Sequence, residues 1–156
     1  MLHRPKGDSP DEQEKKYKAH RAANGAVKQL RGSKQYFTAF VIAFALLEDR
    51  LRALDFVARK QGIVPPLKNV RQAQNWKAIV HRLHSSELLE LVLRDKLMNL
   101  GDMRNKAIHS AHYNLDNVKD KHIDRVVEAQ REIAKRVRKL VKNGSPNRSE
   151  DPRLGS

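Results

Sequence analysis

The chain has 156 residues and no cysteine, and its 32 lysines and arginines outnumber its 18 acidic residues to give a net charge of +14. This length is typical of one domain with a buried core. The lack of cysteine excludes disulfides, thiolate metal sites and a cysteine nucleophile. The positive charge is spread along the whole chain and favours a polyanionic partner, for which nucleic acid is the first candidate.

Two features of the sequence predict a protein that is neither secreted nor inserted into a membrane. Residues 1–16 contain no apolar stretch of the kind that a secretory signal needs. The longest charge-free stretch, from Gln35 to Leu47, is shorter than the ~20 residues that cross a bilayer. We therefore expect a cytoplasmic protein without a membrane partner.

The two ends of the chain differ in composition from its middle. Residues 1–32 are polar and poor in large apolar side chains, and Gly25 and Gly32 interrupt any helix that begins near Lys15. We interpret these residues as a flexible basic arm with one marginal helix at most. Residues 144–156 hold two prolines, two glycines and three serines, and we expect them to be disordered. Residues 33–143 are left as the folded domain.

Apolar residues within this domain recur at three- and four-residue spacing, which predicts an all-α fold. The first long helix is expected from about Lys34 to Lys60, with an end at Gln61-Gly62. Its first half is apolar on every side, so other helices or a second copy of the chain must cover it. Its predicted core stripe consists of Phe40, Phe44, Leu47, Leu51, Leu54 and Ala58.

Further helices are expected after this one. The first follows Pro65-Pro66, takes the second proline into its first turn and directs Trp76 toward the core. A leucine-rich helix would begin at Ser85 or Ser86 and end at Gly101. Asp102 would then cap a short helix. A last basic helix is expected over residues 117–142.

The stretch GDMRNKAIHSAHYN, residues 101–114, combines groups that suit RNA chemistry. Arg104 is followed directly by Asn105, and His109 comes four residues after the asparagine. Given the abundance of these residue types, roughly 0.04 such combinations are expected by chance. On a helix, Asn105 and His109 share a face, whereas Arg104 and His109 are about 140° apart. Arg104 and His109 must therefore converge across the edge of the helix or across an interface.

The succession of a long apolar helix, a leucine-rich helix, RNKAIH opening the next helix and a final basic helix resembles a HEPN domain (higher eukaryotes and prokaryotes nucleotide-binding). The resemblance covers roughly Ser33 to Lys142. It implies a bundle of four to five helices that forms a homodimer. It also implies a metal-independent endoribonuclease of the toxin or antiviral-defence type, in which two Arg/His pairs meet between protomers. Many such toxins are encoded beside an antitoxin, so a neutralising partner is expected as well.

Under this interpretation the residues of the motif divide the chemistry among them. His109 would act as general base on the RNA 2′-oxygen or as general acid toward the leaving 5′-oxygen. Arg104 would bind the scissile phosphate, and Asn105 would hold the imidazole or the phosphate. No cofactor or metal ion is required. Four further residues are expected to support the site: Glu48, Asp102, His112 and Tyr113.

A dense run of cations in the last helix predicts contacts with RNA phosphates. Between Arg131 and Lys142, six basic residues accompany a single acid, Glu132. The alternative is a solvated helix face whose cations interact favourably with the C-terminal end of the helix. Together with Lys106, the predicted nucleic-acid-binding residues are Arg131, Lys135, Arg136, Arg138, Lys139 and Lys142.

Other interpretations of the same residues stay open at this point. Arg104 could pair with Asp102 or Glu48 for structural reasons alone, and His109 could be an ordinary packed histidine. Two HxxH pairs, His81/His84 and His109/His112, lack the further ligands that a zinc site needs, so no metal is assigned. The competing functions are a non-catalytic basic helical module that binds RNA or DNA, and a dimeric adaptor.

Overall fold

The computed structural model describes residues 9–109 and 117–144. In these ranges the chain forms five helices of ten residues or more and one short helix, and no strand, which confirms the predicted all-α class. We number the helices in chain order as α1 (Pro10–Gly32), α2 (Tyr36–Lys60), α3 (Val70–Gln74), α4 (Trp76–Ser85), α5 (Leu91–His109) and α6 (Asp120–Gly144).

Helix α2 lies at the centre of the bundle and contacts α1, α4, α5 and α6. Its apolar stripe is buried as predicted, and Leu47, Leu51 and Leu54 are completely inaccessible to solvent. Ile123 and Ile133 of α6 belong to the same buried cluster. Helix α2 ends at the predicted place, where Gly62 has a φ of 76° that glycine adopts without steric cost.

Residues 10–32 form a continuous helix where the composition led us to expect a flexible arm. Ser9 and Glu12 form a reciprocal capping box, and Pro10 occupies the first helical turn. Val27 is buried, and Leu30 packs against the core of the bundle. The helix therefore covers part of the apolar surface of α2, and this tertiary contact outweighs the cost of a helical glycine.

An ion cluster fastens the end of α1 to the beginning of α6. Arg31 donates from Nε to Asp120 at 2.7 Å and from Nη2 to Asp124 at 2.6 Å. The hydrogen bond to Asp120 raises the pKa of Arg31 further, and Arg31 in turn holds the pKa of the Asp120 carboxyl below its usual range. The two helices that flank α2 are thereby joined to each other.

The predicted break at Gly101 is absent, and α5 is one helix of 19 residues. The sequence was expected to place a helix end at Gly101 and a new cap at Asp102. Instead Gly101 lies inside the helix and against Trp76. A Cβ atom at this position would be only 2.6 Å from the indole ring, so only glycine fits without a shift of the ring. The glycine therefore serves close packing of α4 against α5. Burial of Leu97, Leu100 and Ala107 along one face holds the helix together through this position.

The connection between α2 and α5 also differs from the prediction. Pro65-Pro66 lie in the loop, and the next helix begins only at Val70, capped by the side chain of Asn69. Asn75 then separates α3 from α4 and accepts a hydrogen bond from the Ala78 amide. Ser85 and Ser86 lie at the end of α4 and do not cap α5. Short polar side chains, which cap helices well, thus divide the predicted single helix in two.

A buried ion cluster joins α2 to α4. Asp55 is 1% exposed and accepts from Arg82 at 3.0 Å, while Arg59 lies 3.2 Å from the same carboxylate. Arg82 also donates to the carbonyl of Gln72 at 2.9 Å. The opposite charges and the hydrogen bonds offset the free-energy cost of removing this carboxylate from water.

Two further expectations concern the C-terminal tail and the absence of a membrane-spanning helix. Gly144 is the last residue of α6, and residues 145–156, which include most of the expected tail, lie outside the described ranges. Within the described ranges, no helix combines the length and the apolar character needed to cross a bilayer.

Candidate functional site

Helix α5 carries the three motif residues, which differ in their exposure to solvent. Arg104 is half-buried, whereas Asn105 and His109 are exposed, and His109 is the last residue of the helix. Ala107 is fully buried on the inner side. Because Arg104 and His109 are about 140° apart around the helix axis, burial of one face turns Arg104 toward α2 and leaves His109 in solvent.

The guanidinium of Arg104 lies against two residues of α2. Its Nη2 is 3.4 Å from Glu48 Oε2, and its Cζ is 5.1 Å from the centre of the Phe44 ring. Arg52 Nη2 approaches the same Glu48 oxygen at 3.6 Å. Two cations therefore share one carboxylate, which leaves a net positive charge. The ring face and the carboxylate hold the guanidinium in a fixed place where it can bind an anion.

Arg104 and Asn105 form part of the wall of a cavity of about 230 Å³. The cavity lies between α2, α4 and α5, and the Cβ that Gly101 lacks leaves room for the indole of Trp76. Trp76 Nε1 donates to the Leu97 carbonyl at 2.9 Å, which fixes the ring. The remaining lining residues are Phe44, Asn75 and Lys77. Two cations and two amides around an aromatic floor suit a small anionic group such as a phosphate.

His109 does not line this cavity. Among the residues that the structure describes, none forms a hydrogen bond or an ion pair with its imidazole. Its neighbour in the chain, Ile108, is 46% exposed. The imidazole of His109 and the side chain of Ile108 therefore lie together on an exposed part of the surface.

The other supporting residues have varied positions. Glu48 contacts Arg104, as expected, whereas Asp102 pairs with Lys77 at 3.5 Å across the α4–α5 contact. His112 and Tyr113 lie outside the described ranges.

The predicted nucleic-acid contacts are mostly exposed. Lys106 is exposed on α5, and four residues of α6 fall within an arc of about 60° and form one basic stripe. This stripe consists of Arg131, Lys135, Arg138 and Lys142. Lys139 is exposed beside it. Arg136 differs, because it donates to Glu90 at 2.5 Å and reaches the Leu88 carbonyl, which gives it a structural role between α6 and the start of α5.

The histidines of the two HxxH pairs have different surroundings. His84 Nδ1 lies 2.9 Å from the carbonyl oxygen of Leu89, so that ring nitrogen is occupied within the fold. In the described part of the chain, no three histidines or acidic residues come together in a way that would hold a metal ion. The partner of His109 in the second pair, His112, lies outside that part.

Several residues that line the Arg104 cavity were not predicted from the sequence as part of the site. Asn75, Trp76 and Lys77 line the Arg104 cavity although they lie about 28 positions earlier in the chain. Only the helix-breaking signal of Asn75 was readable beforehand, as an amide suited to a helix N-cap. The contact between Phe44 and Trp76, whose ring centres are 4.7 Å apart, has no local sequence signal.

Comparison with known proteins adds no assignment: no protein family, no curated protein and no solved structure matches this chain.

Proposed function

We propose that this protein is a metal-independent endoribonuclease of HEPN type, with a site completed at the interface of a homodimer. The observation that carries the proposal is the position of Arg104, which is fixed by Glu48 and Phe44 at the wall of a cavity of phosphate size. His109 lies five residues further along the same helix and is free to approach a second molecule. The net charge of +14 favours a polyanionic substrate.

The proposed reaction needs only groups that this chain provides. One His109 takes the proton of the RNA 2′-hydroxyl, and the 2′-oxygen attacks the adjacent phosphorus. The bond from phosphorus to the 5′-oxygen then breaks, and the partner's His109 protonates the leaving oxygen. Arg104 stabilises the charge that develops on the non-bridging oxygens, while Asn105 orients the phosphate or the imidazole. The products are a 2′,3′-cyclic phosphate and a 5′-hydroxyl, so DNA is not a substrate.

A dimer is part of the proposal because of the helix geometry. With Arg104 turned toward α2, the His109 of the same chain lies about 140° away around the helix axis and does not line the Arg104 cavity. Two copies related by a twofold axis would bring two Arg/His pairs into one cleft and cover Ile108. We further propose that the substrate is cytoplasmic RNA and that a cognate neutralising protein binds the basic chain, as in toxin systems.

The test is an RNA cleavage assay with four variants. His109→Ala and Arg104→Lys should each lose at least about 100-fold in cleavage rate, because one lacks the proton carrier and the other the bidentate fork. His81→Ala replaces another exposed histidine, and Arg94→Lys replaces a half-buried arginine of the same helix. Both controls should cleave like the parent.

The substrates are total RNA and a single-stranded DNA, each incubated with and without EDTA. Cleavage of RNA alone, unaffected by chelator and lost in the two site variants, is the expected result. If His109→Ala and the parent degrade RNA equally, the nuclease proposal is wrong.

A basic module that binds RNA or DNA without cleaving it is the second candidate function. The stripe of four cations on α6 favours it, since these residues lie outside the motif and need no catalytic partner. Salt-sensitive RNA binding by a parent protein that releases no cleavage product would identify this function.

A further inference from the structure

A second, larger cavity lies on another side of the molecule. It has a volume of about 540 Å³ and is formed by α1, α2 and α6. This volume is within the range of roughly 300 to 1,000 Å³ that ligand sites occupy. We call it the α1–α6 groove, and its charged lining residues are Lys28, Arg31, Arg50 and Arg131.

The charges of this groove are of one sign. Four of its lining residues are cations, and none of the described residues that line it is an aspartate or a glutamate. Arg31 is neutralised by Asp120 and Asp124 at one end. Within the described ranges, Lys28, Arg50 and Arg131 have neither an ion-pair nor a hydrogen-bond partner. Three uncompensated cations around one concave surface produce a positive potential that attracts an anion.

A buried polar atom of the groove also lacks a partner. The Nε of Arg50 is inaccessible to solvent and has no acceptor in the described structure. Gln130 is only 8% exposed and lines the groove, where its amide is open to solvent and forms no hydrogen bond with any described residue. Buried polar groups of native proteins are nearly always hydrogen-bonded, so the Arg50 Nε is a donor that a ligand in the groove can satisfy. A guanidinium and an amide donor together suit phosphate oxygens.

We propose that the α1–α6 groove binds the phosphodiester backbone of a single RNA strand. Arg50 and Gln130 donate to phosphate oxygens inside the groove, while Lys28 and Arg131 neutralise charge at its rims. This inference rests on the RNA ligand of the proposed function, but it does not depend on RNA cleavage. It assigns binding residues in α1 and α2, which the basic run of α6 did not predict.

A polymer fits better than an isolated anion because the cations continue beyond the groove. Arg131 is the first residue of the basic stripe, which extends along α6 to Lys142 over about 16 Å. A strand that leaves the groove along α6 therefore meets further positive charges at successive turns. Lys135 and Arg138 lie on this path.

The groove and the Arg104 cavity lie on opposite sides of α2. Arg50 follows Glu48 by two residues, which places the two side chains about 200° apart around the helix. Contacts in the groove therefore hold RNA without touching the reacting phosphate of the same protomer. Loss of these contacts should raise KM and leave kcat unchanged.

The test measures binding of a fluorescently labelled single-stranded RNA of about 20 nucleotides over a series of salt concentrations. The main variant is Lys28→Gln/Arg131→Gln, which changes two exposed rim residues. The matched control, Lys60→Gln/Lys68→Gln, removes the same charge from two exposed lysines outside the groove. Arg50→Gln tests the interior, with circular dichroism to confirm that it folds.

For the rim variant we expect binding about tenfold weaker than that of the parent. The slope of log affinity against log salt should also decrease by about 1.4, because each phosphate contact on a single strand contributes about 0.7. The control should keep the slope of the parent. A single-stranded DNA of equal length should behave like the RNA, because backbone contacts do not read the 2′-hydroxyl. Equal changes in rim variant and control would overturn the proposal.

All binding is measured in the His109→Ala background, which separates this inference from the proposed nuclease. If RNA cleavage depends on His109 but the salt slope does not depend on the rim residues, only the groove is wrong. If the slope depends on the rim residues while His109→Ala cleaves like the parent, only the nuclease is wrong.

Discussion

Glycine illustrates how the surroundings of a residue decide its role. Gly25 lies inside α1, where an added Cβ atom would have no neighbour within 4 Å, whereas a Cβ atom at Gly101 would be 2.6 Å from the Trp76 ring. Both are helical, so both carry the entropic cost of glycine in a helix. Only Gly101 has a packing reason that offsets this cost.

Substitution by alanine should therefore have opposite effects at the two positions. Gly25→Ala should stabilise the protein by about 0.5 to 1 kcal/mol, since the methyl group enters free space. Gly101→Ala should destabilise it by about 1 to 3 kcal/mol, because the indole must shift and its hydrogen bond to Leu97 is strained. Urea unfolding of both variants measures the two changes. A stabilising Gly101→Ala would contradict the close packing of α4 against α5.

The contacts of Arg104 were predicted only in part. The sequence predicted Glu48 as a brace because it is the first acid after the apolar half of α2, and the two side chains do lie 3.4 Å apart. It did not predict that Arg52 would share this carboxylate or that Phe44 would lie under the guanidinium. Such contacts depend on the rotation of α5 against α2, which no local pattern encodes.

At the scale of elements, the beginning of α6 contains a pH-sensitive cap. The Nδ1 of His122 accepts a hydrogen bond from the Lys119 amide at 2.9 Å, which requires an unprotonated nitrogen. Burial lowers the pKa of His122, and the charges of Lys121, Arg125 and Lys119 lower it further. The folded protein therefore takes up this proton less readily than the unfolded chain does.

Stability should consequently fall as the solution is acidified. Below the unfolded pKa of about 6.5, the unfolded chain binds a proton that the folded protein resists, so the free energy of unfolding decreases as the pH falls. His122→Gln keeps a side-chain acceptor at the same helical position but does not titrate. Thermal unfolding between about pH 7.5 and about pH 5.5 should show a smaller loss in this variant than in the parent. Equal losses in both proteins would exclude His122 as the cause.

Helix α1 differs from what its composition predicts. Its polar composition and two glycines favoured a flexible arm, yet a capping box and the ion cluster around Arg31 hold it against the bundle. Deletion of residues 1–32 should expose apolar surface of α2 and lower the midpoint of thermal unfolding by at least about 5 °C. A truncated protein that remains monodisperse and unfolds at the parent temperature would restore the arm interpretation.

At the scale of the whole molecule, the proposed nuclease depends on a second copy of the chain. Ile108→Asp places a charge on an exposed side chain beside His109 without touching the core. We expect this variant to be a folded monomer without RNA cleavage, because a buried unpaired carboxylate opposes association. Light scattering after size exclusion and the cleavage assay report the two effects.

Val92→Asp is the matched control for this experiment. Val92 is 66% exposed in the first turn of the same helix, where an added carboxylate interacts favourably with the helix N-terminus. This variant should retain the mass and the activity of the parent. A parent protein that is monomeric while it cleaves RNA would contradict the composite site.

Residue spacing and composition were enough to predict the helical class, the buried stripe of α2 and a charge that favours a polyanionic partner. The spacing of apolar residues sets which face of a helix is buried, and the composition sets the net charge. Neither depends on contacts between residues that are distant in sequence. The three-dimensional fold was needed to show that α1 packs on α2, that α5 continues through Gly101 and that Arg104 is half-buried while His109 is exposed. These features arise from side chains distant in sequence, because the packing of Trp76, Glu48 and Arg31 against their partners requires all the helices to be in place.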